Sequence, residues 1–454
     1  MFTSIILAAG MGTRMKSEKP KVLHKVCGKE LCRWVIDASR KAGADNIVSV
    51  IGHKADMVKE TLEDACSFAI QSEQKGTGHA VMQAIEFIKK AEGSVVILNG
   101  DAPLIKSETI KKVIEFHKEN KNSVTVITAV LDDASGYGRI VRNSSGDVAK
   151  IVEQKDANEE EKKIKEVNSG MYVFDSTDLL YALDKLTPNN AQGEYYLTDT
   201  VEILLNAGKK AGAYIIDDSD EIRGINDRIQ LYEAEKIMHD RIVKKHMKNG
   251  VTMHCPESIY IEDDVEIGND TEIDRNVEIL AGTKIGSNCI IGMGSRLDKA
   301  VICDGVDILS SVIIESEIGE GTHVGPFAYV RPNCKVGKSV KVGDFVEIKN
   351  SVIDDKTKIS HLTYIGDSDV GKNVNFGCGT VTCNYDGKNK YRSKIGNNSF
   401  VGCNTNIVSP VEVGDRAYIA AGSTITGDIP EGSLSIARSR QVNKIGWADK
   451  NQKY

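Results

Sequence analysis

Residues 261–297 read IEDDVEIGNDTEIDRNVEILAGTKIGSNCIIGMGSRL, and their aliphatic side chains keep one beat: Ile261, Ile267, Ile273, Ile279, Ile285, Ile291 and Leu297 stand six residues apart. That spacing fits neither the 3.6-residue turn of a helix nor the two-residue alternation of a free strand. A hexapeptide period predicts a parallel β-helix, in which each aliphatic side chain points inward and stacks on its equivalent one coil away. Coils of such a solenoid lie about 4.8 Å apart, the ordinary strand spacing. The beat resumes at Ile302, Ile308 and Ile314, continues through Ile318, Val324, Val330, Val336, Val342 and Ile348, and then through Ile353, Ile359, Ile365, Val370 and Phe376. After a break it returns at Ile395, Val401, Ile407, Val413, Ile419 and Ile425. Glycine often follows the aliphatic residue, as at Gly268, Gly286, Gly319, Gly325, Gly337, Gly343, Gly402 and Gly414. Glycine and small polar residues are expected at the corners, where a left-handed backbone is needed.

Upstream the period changes. Residues 226–248 contain no glycine or proline and are rich in Glu, Lys, Leu, Ile, Met and Ala, which predicts a connecting helix ending near Asn249-Gly250. Before it, short β-branched runs (Ser4–Leu7, Ile47–Ile51, Val95–Leu98, Val124–Val130) alternate with amphipathic stretches (Leu31–Ala42, Met57–Ala65, His79–Lys89, Glu108–Glu119). Strand–helix alternation predicts a mainly parallel sheet with helices on both faces, binding ligands at the carboxyl ends of its strands. The 454 residues therefore divide into a domain over 1–228, a helical linker over 229–249 and a solenoid domain over 250–454.

Composition narrows the function. The chain is 41% hydrophobic and 27% charged with a formal net charge of -7, so its mean field repels nucleic acid and anionic membranes. No apolar run is long enough to span a bilayer. Met1–Gly10 has no basic region ahead of its short apolar stretch, which reads as a first strand and not a signal peptide, and places the chain in the cytoplasm. Ten cysteines without CxxC pairs or zinc spacing read as reduced thiols.

The first strand runs into Ala8-Ala9-Gly10-Met11-Gly12-Thr13-Arg14-Met15, followed by Pro20-Lys21. Small residues let backbone N–H groups cup phosphate oxygens. A dinucleotide fingerprint would need glycine at Met15, and a Walker loop would need Gly-Lys-Ser/Thr. Arg14 and Lys21 instead bring two cations to one loop, which suits a triphosphate. Asp101 closes Asn99-Gly100-Asp101 at the end of a buried strand, where a carboxylate either caps a turn or binds Mg²⁺. Gln71, ahead of Gly76-Thr77-Gly78-His79, can read a uracil edge with one donor and one acceptor; alone it is an ordinary surface side chain. Gly138, Glu153 and Asn168 supply polar groups for sugar hydroxyls. Asn226 either caps the linker helix or joins a metal site.

In the solenoid, Ser360-His361-Leu362-Thr363-Tyr364 interrupts the aliphatic beat, and Arg331 and Lys349 fall on nearby turns. Two cations suit a sugar phosphate, and a histidine titrating near neutrality suits deprotonation of an amine. The second break, Cys383 to Lys390, is a loop that a regular solenoid does not need.

The complete string Leu7 to Met15 with Pro20-Lys21 behind it resembles the sugar-1-phosphate nucleotidyltransferases. Together with His361-Leu-Thr-Tyr364, Asn375-Phe-Gly-Cys-Gly-Thr380 and Asn384-Tyr385-Asp-Gly387, essentially the whole chain resembles the bifunctional N-acetylglucosamine-1-phosphate uridylyltransferase/glucosamine-1-phosphate N-acetyltransferase family. The resemblance implies an α/β protein: a Rossmann-like nucleotidyltransferase domain followed by a left-handed parallel β-helix. It implies acetylation of glucosamine-1-phosphate by acetyl-CoA, then uridylyl transfer from UTP to N-acetylglucosamine-1-phosphate, feeding cell-envelope precursors. It places Mg²⁺ on Asp101 and Asn226, and nucleotide contacts on Leu7, Ala8, Ala9, Gly10, Arg14, Lys21, Gln71, Gly76 and Thr77. Sugar contacts fall on Gly138, Glu153 and Asn168. Arg14 and Lys21 neutralise phosphate charge in catalysis. His361 becomes the general base, Arg331, Lys349, Tyr364, Asn375 and Lys390 hold glucosamine-1-phosphate, and Cys378, Asn384, Tyr385, Cys403, Ala421 and Arg438 line the acetyl-CoA site. Relatives often carry Ala at the position of Cys378, Ser at that of Cys403, and in some cases Tyr at that of Asn99. Hexapeptide acyltransferases also imply a homotrimer. The rival reading is a single-activity nucleotidyltransferase with a structural or regulatory solenoid, which predicts no His361, Lys349 and Arg331 set.

Overall fold

Three parallel sheets take up the repeating half of the chain in a computed structural model that describes residues 1–190 and 192–451. They hold 11, 10 and 9 strands, and each strand pairs with the strand three further on, one coil away, except that Tyr418–Ile419 pairs with Leu434–Ser435, two further on, at the end of the solenoid. One inward column runs Ile261, Ile279, Leu297, Ile313, Val330, Ile348 and Ile365 in register, all buried. The beat is less even than the expected six. Steps from Leu297 to Ile302, from Ile308 to Ile313 and from Ile313 to Ile318 are five residues, so Ile313 is the buried residue and the expected Ile314 is half-buried beside it. A shorter corner absorbs the missing residue, because only the stacking of equivalent positions is fixed.

The glycines of the solenoid fall into two sets. Those that follow the aliphatic residue mostly do not carry a left-handed backbone. They stand where the next coil passes too close for a side chain: a Cβ on Gly343 would lie 2.0 Å from Ser360 O, and one on Gly268 would lie 2.6 Å from Gly286 C. Left-handed corners do fall on other glycines and on small polar residues, among them Gly282, Gly294, Gly305, Gly321, Gly379, Gly422 and Gly432 with Asn276, Asn288, Asn333, Asn350, Asn373, Asn398 and Asn404, and even on Phe327, Phe345 and Leu362.

The chain forms two compact units, Met1–Met238 and His239–Tyr454, and the helix Arg228–Lys248 crosses the division. The first unit is built on a sheet ordered Ala211–Ile215, Val124–Val130, Glu166–Asp175, Ser94–Asn99, Phe2–Ala8, Asn46–Ile51, Ser67–Ile70. Alternate residues of the central strands serve two cores. Ile6 and Leu98 pack with Val35 and Ile36 on one face, and Ile5 and Ile97 pack with Val81 and Leu179 on the other. The sheet is mixed where a mainly parallel one was expected: Glu166–Asp175 runs antiparallel to both neighbours. The hairpin Gly138–Arg142/Val148–Val152, also paired to that strand, reverses the chain without a crossover helix. The expected helix over 79–89 is two, Thr77–Gln83 and Ile85–Ile88, and that over 57–65 spans Ala55–Leu62. Among the described residues no helix is long and apolar enough to cross a membrane.

Gly343→Ala places a methyl group against rigid backbone and is expected to cost about 3 kcal/mol or more, whereas Gly427→Ala, with nothing within 4 Å of its Cβ position, is expected to be near neutral. Denaturant unfolding of the two variants measures the difference; equal stability contradicts the close-approach reading.

Two candidate active sites

The first site lies at the carboxyl ends of the strands Phe2–Ala8 and Ser94–Asn99. Gly100 N–H donates to Leu7 O at 2.9 Å, which holds the glycine loop against the turn that carries Asp101. Gly12 takes φ +61°, and a Cβ there would lie 2.6 Å from Lys21 Cβ, so the loop closes onto the lysine only because position 12 is glycine. Lys21 Nζ donates to Asp101 Oδ2, and at 3.1 Å to Asn226 Oδ1. An ammonium group thus already sits between the two oxygens expected to hold a metal. The cap of the helix Arg228–Lys248 is Asp227, whose Oδ1 accepts from Ile229 N (3.0 Å) and Gln230 N (2.9 Å), and Asn226 is left to face Lys21. Arg14 is exposed in the loop, Gly10 has open space at its Cβ position, and Ala9 is buried with its carbonyl accepting from Gln74 Nε2 at 3.0 Å.

Gln71 is buried, not a surface side chain: its Nε2 donates to Gly76 O at 3.2 Å and meets His79 Nδ1 at 3.1 Å. Gly76 packs so tightly on Tyr195 that a Cβ would lie 2.5 Å from its carbonyl, and Thr77 Oγ1 accepts from Leu197 N at 3.1 Å. Gly138 pairs with Asn168, and the Glu153 carboxylate lies 3.5 Å from where a Cβ of Gly138 would stand, so the three expected sugar-binding residues converge. Asn168 Nδ2 donates to Tyr172 OH at 2.9 Å, and Asn99 Nδ2 donates to Ser169 O at 3.1 Å, tying the sheet end to this bulge. Burial, helped by the charges of Asp156 and Asp199, pushes the Glu153 carboxyl above its ordinary range.

The second site is on the solenoid, and its key partner was missed. His361 Nδ1 donates to Asp344 Oδ1 at 2.7 Å, and the two residues are in register on adjacent coils. The bond from His361 holds the Asp344 carboxyl below its ordinary range. Stepping back one coil length of 17 residues from His361 reaches Asp344, so the signal was present in the spacing. The His361 side chain is 58% exposed. Three residues on, the same two coils and the one before them carry a second cluster. Arg331 pairs with Glu347 at 2.9 Å, Glu347 is in register with Tyr364, and Lys349 with Gly366. Gly366 leaves room for two side chains of the site: a Cβ would lie 2.4 Å from Tyr364 OH and 2.8 Å from Asn384 Nδ2, so a larger residue has to displace both. Asn384 Nδ2 donates to Asp367. The neighbouring Lys390 ammonium depresses the Lys349 pKa, two like charges held together. Burial raises the Tyr364 phenol. Asp367 is raised by burial, but bonds from Asn350 and Asn384 and the two lysines outweigh this and leave it below its ordinary value.

Above His361 the corner repeats. Counting from the pairs Lys358 with Asn375, Phe376 with Val401 and Val401 with Ile419, Cys378, Cys403 and Ala421 follow His361 on successive coils. Asn375 lies on the outer sheet face beside Phe400, and the stem of Arg438 beside Gly422. Tyr385 is exposed on the ejected loop, bridged to Lys390.

A family model for nucleotidyl transferases matches residues 3–230, and one for the bacterial transferase hexapeptide (six repeats) matches 264–299, 315–350 and 392–427. A protein of Acetivibrio thermocellus named bifunctional protein GlmU is 59% identical over 447 residues, covering 98% of this chain and 97% of that protein. The chain belongs to the bifunctional GlmU family. GlmU proteins of Caldanaerobacter subterraneus subsp. tengcongensis and Clostridioides difficile (strain 630) are each 54% identical, over 99% and 100% of this chain and 98% of each relative. Family membership accounts for a nucleotide-type loop and a hexapeptide solenoid in one chain.

Glu153→Gln removes a half-buried charge and is expected to raise Tm at neutral pH. The folded-state pKa of Glu153 lies above the unfolded one, so the stability that its protonation gives is fully present below the ordinary carboxylate value of about 4.3 and is lost as pH rises through the folded value. The Tm gap between variant and wild type is therefore wide at neutral pH and closes in acid; a pH-independent gap contradicts this.

Proposed function

We propose that the solenoid site acetylates glucosamine-1-phosphate from acetyl-CoA and that the first site then joins the product to UMP from UTP, releasing pyrophosphate and forming UDP-N-acetylglucosamine. The observation that carries the first half is the Asp344–His361 pair beside the cation cluster Arg331, Lys349 and Lys390. With Nδ1–H bound to a carboxylate, His361 keeps its proton there and offers Nε2 as a base. Lys349 and Lys390 repel each other until a dianion lies between them, which supports a phosphate there and the amine toward His361. The amine attacks the thioester carbonyl, the C–N bond forms, the C–S bond breaks, and the proton taken by His361 passes to the departing thiolate. The column Cys378, Cys403, Ala421 and Arg438, rising coil by coil from His361, supports a pantetheine arm lying along it, with Asn384 and Tyr385 at its flank.

In the first site, the hard oxygen pair Asp101 and Asn226, with no richer cluster of ligating side chains among the described residues, suits Mg²⁺, which accepts one or two protein oxygens and takes phosphate and water for the rest. That the pair already holds an ammonium group supports the fit. Magnesium supplies neutralisation of phosphate charge. Arg14 and Lys21 draw in the triphosphate, the backbone from Leu7 to Gly10 with Gly76 and Thr77 brackets the nucleotide, and the Gln71 carboxamide faces the base. Gly138, Glu153 and Asn168 hold the sugar, so that its phosphate oxygen attacks the α-phosphorus in line. Catalysis here is positioning and charge neutralisation. Exposed Phe327 and Phe345, stacked at 5.4 Å, and Leu362 form an apolar ridge beside His361, which supports a homotrimer whose neighbouring copy covers it.

A mixture of glucosamine-1-phosphate, acetyl-CoA, UTP and Mg²⁺ is expected to yield UDP-N-acetylglucosamine. His361→Ala removes acetyl transfer and spares uridylyl transfer, and Asp101→Ala does the reverse; either change abolishing both in folded protein refutes the two-site reading. Asp344→Ala is expected to lower the acetyl-transfer kcat by about 10–100-fold with KM for the sugar phosphate little changed; an unchanged kcat denies Asp344 its positioning role.

A further inference from the structure

We propose that Cys378 and Cys403 form a redox-active dithiol, two stacked thiols that a peroxide converts to a disulfide, shutting off acetyl transfer. Gly377-Cys378-Gly379-Thr380 and Gly402-Cys403-Asn404-Thr405 are the same turn built twice. In each the third residue is left-handed, with φ 76° at Gly379 and 53° at Asn404. In each the threonine hydroxyl donates back to the first carbonyl, Thr380 to Gly377 O at 2.8 Å and Thr405 to Gly402 O at 2.6 Å. Asn404 N–H donates to Cys378 O at 2.8 Å, and a Cβ on Gly377 would lie 2.5 Å from Cys403 N, so the turns are stacked in register. Equivalent side chains of stacked coils leave in the same direction, about 4.8 Å apart. Disulfides join Cα atoms about 4.4–6.8 Å apart and Cβ atoms near 3.8 Å, so an approach of about 1 Å closes the bond.

Both thiols can be reached from solvent, Cys403 being exposed and Cys378 half-buried. Cys255 is exposed and Cys383 half-buried as well, but neither has a cysteine at the equivalent place on the adjacent coil, so stacking sets this pair apart. Burial pushes the thiols of Cys66, Cys289, Cys303 and Cys334 upward and that of Cys32 to about 12, away from the reactive thiolate. One thiolate attacks the peroxide O–O bond and becomes a sulfenic acid as hydroxide leaves, and the proton released when that thiol ionised turns the hydroxide into water. The second thiol attacks that sulfur, the S–S bond forms and a second water leaves, so the two electrons lost by sulfur reduce the peroxide. An external dithiol reverses the step by exchange. The loss of activity rests on the reading that the acyl donor lies along this column.

The test treats the full-length protein with hydrogen peroxide, maps disulfides by mass spectrometry after alkylation, and assays both transfers. A Cys378–Cys403 linked peptide is expected, with acetyl transfer lowered about tenfold or more, uridylyl transfer unchanged, and recovery on adding dithiothreitol. Cys403→Ser is expected to lose the response whatever its own rate, and Cys383→Ser to keep it. Both thiols surviving, or oxidising without joining, overturns the proposal. A mapped disulfide with undiminished acetyl transfer overturns the shut-off and places the acyl donor elsewhere. Untreated protein without acetyl transfer defeats the functional reading instead, and the peptide map still decides the dithiol.

Discussion

Coil rests on coil at one strand spacing, and backbone meets backbone with no room for a Cβ at the tightest points. This contact governs the second unit. It fixes which residues must be aliphatic and inward, and it requires glycine at positions such as Gly268 and Gly343 whatever their φ. It leaves the number of residues in a corner free, and so the beat can drop to five without disturbing the column from Ile261 to Ile365. Outward positions escape the constraint but inherit its register. Residues one coil apart in space are 16 or more apart in sequence, yet they stand side by side as securely as neighbours in a strand. Asp344, His361, Cys378, Cys403 and Ala421 become a single line of side chains by this means.

Both sites hold their charges in provisional pairings. Lys21 spans Asp101 and Asn226, so no charge is left bare in a half-buried setting, where an uncompensated ion is costly. On the solenoid the compensation is incomplete. Arg331 has Glu347, and Asp367, bonded by Asn350 and Asn384, offsets part of the charge of Lys349 and Lys390, which still face each other. A site in which like charges are held together by the fold gains on binding an anion, because repulsion already present in the free protein is relieved. This is preorganisation in electrostatic form.

The sequence carried the architecture of the second unit in almost every coil, since the period is enforced by the stacking itself. It misplaced Ile314 because a dropped corner residue leaves no compositional mark. It did not separate corner glycines such as Gly282 and Gly321 from those such as Gly268 and Gly343 that lie under the next coil, because closeness of that coil is a property of three dimensions. In the first unit the parallel strands were legible from β-branched runs, but the reversal at Glu166–Asp175 was not, because a hairpin in the middle of a domain resembles any other pair of short strands. Catalytic types such as His361, Lys349 and Asp101 stand out where a scaffold needs none. Their partners do not: Asp344 looks like a surface aspartate until it is counted one coil back, and Asn226 and Asp227 both suit a helix cap until the bonds decide between them.

The ejected loop shows how a regular solenoid admits an irregular site. At Thr382 the inward position, in register with Ile407, is occupied by a hydroxyl instead of an alkyl group, and the next inward residue, Ile395, comes thirteen residues later. The chain leaves the ladder here because Thr382 O accepts from Asn384 N at 3.0 Å, and the bond that Gly366 N–H would have made to it goes to Thr382 Oγ1 at 2.7 Å. No buried donor is stranded by the departure. The loop is then pinned at both ends: Asn384 to Asp367 at its start, and at its finish Arg392 to Asp369 (2.8 Å) and to Asn350 O (2.8 Å). Between the pins, Asp386 Oδ1 accepts from Lys388 N and Asn389 N, and Tyr385 bridges to Lys390. A loop so restrained delivers Lys390 to Lys349 as a fixed part of the site, with little ordering left to be done on binding. The polar residue that breaks the hydrophobic beat is therefore also the one that makes the break affordable.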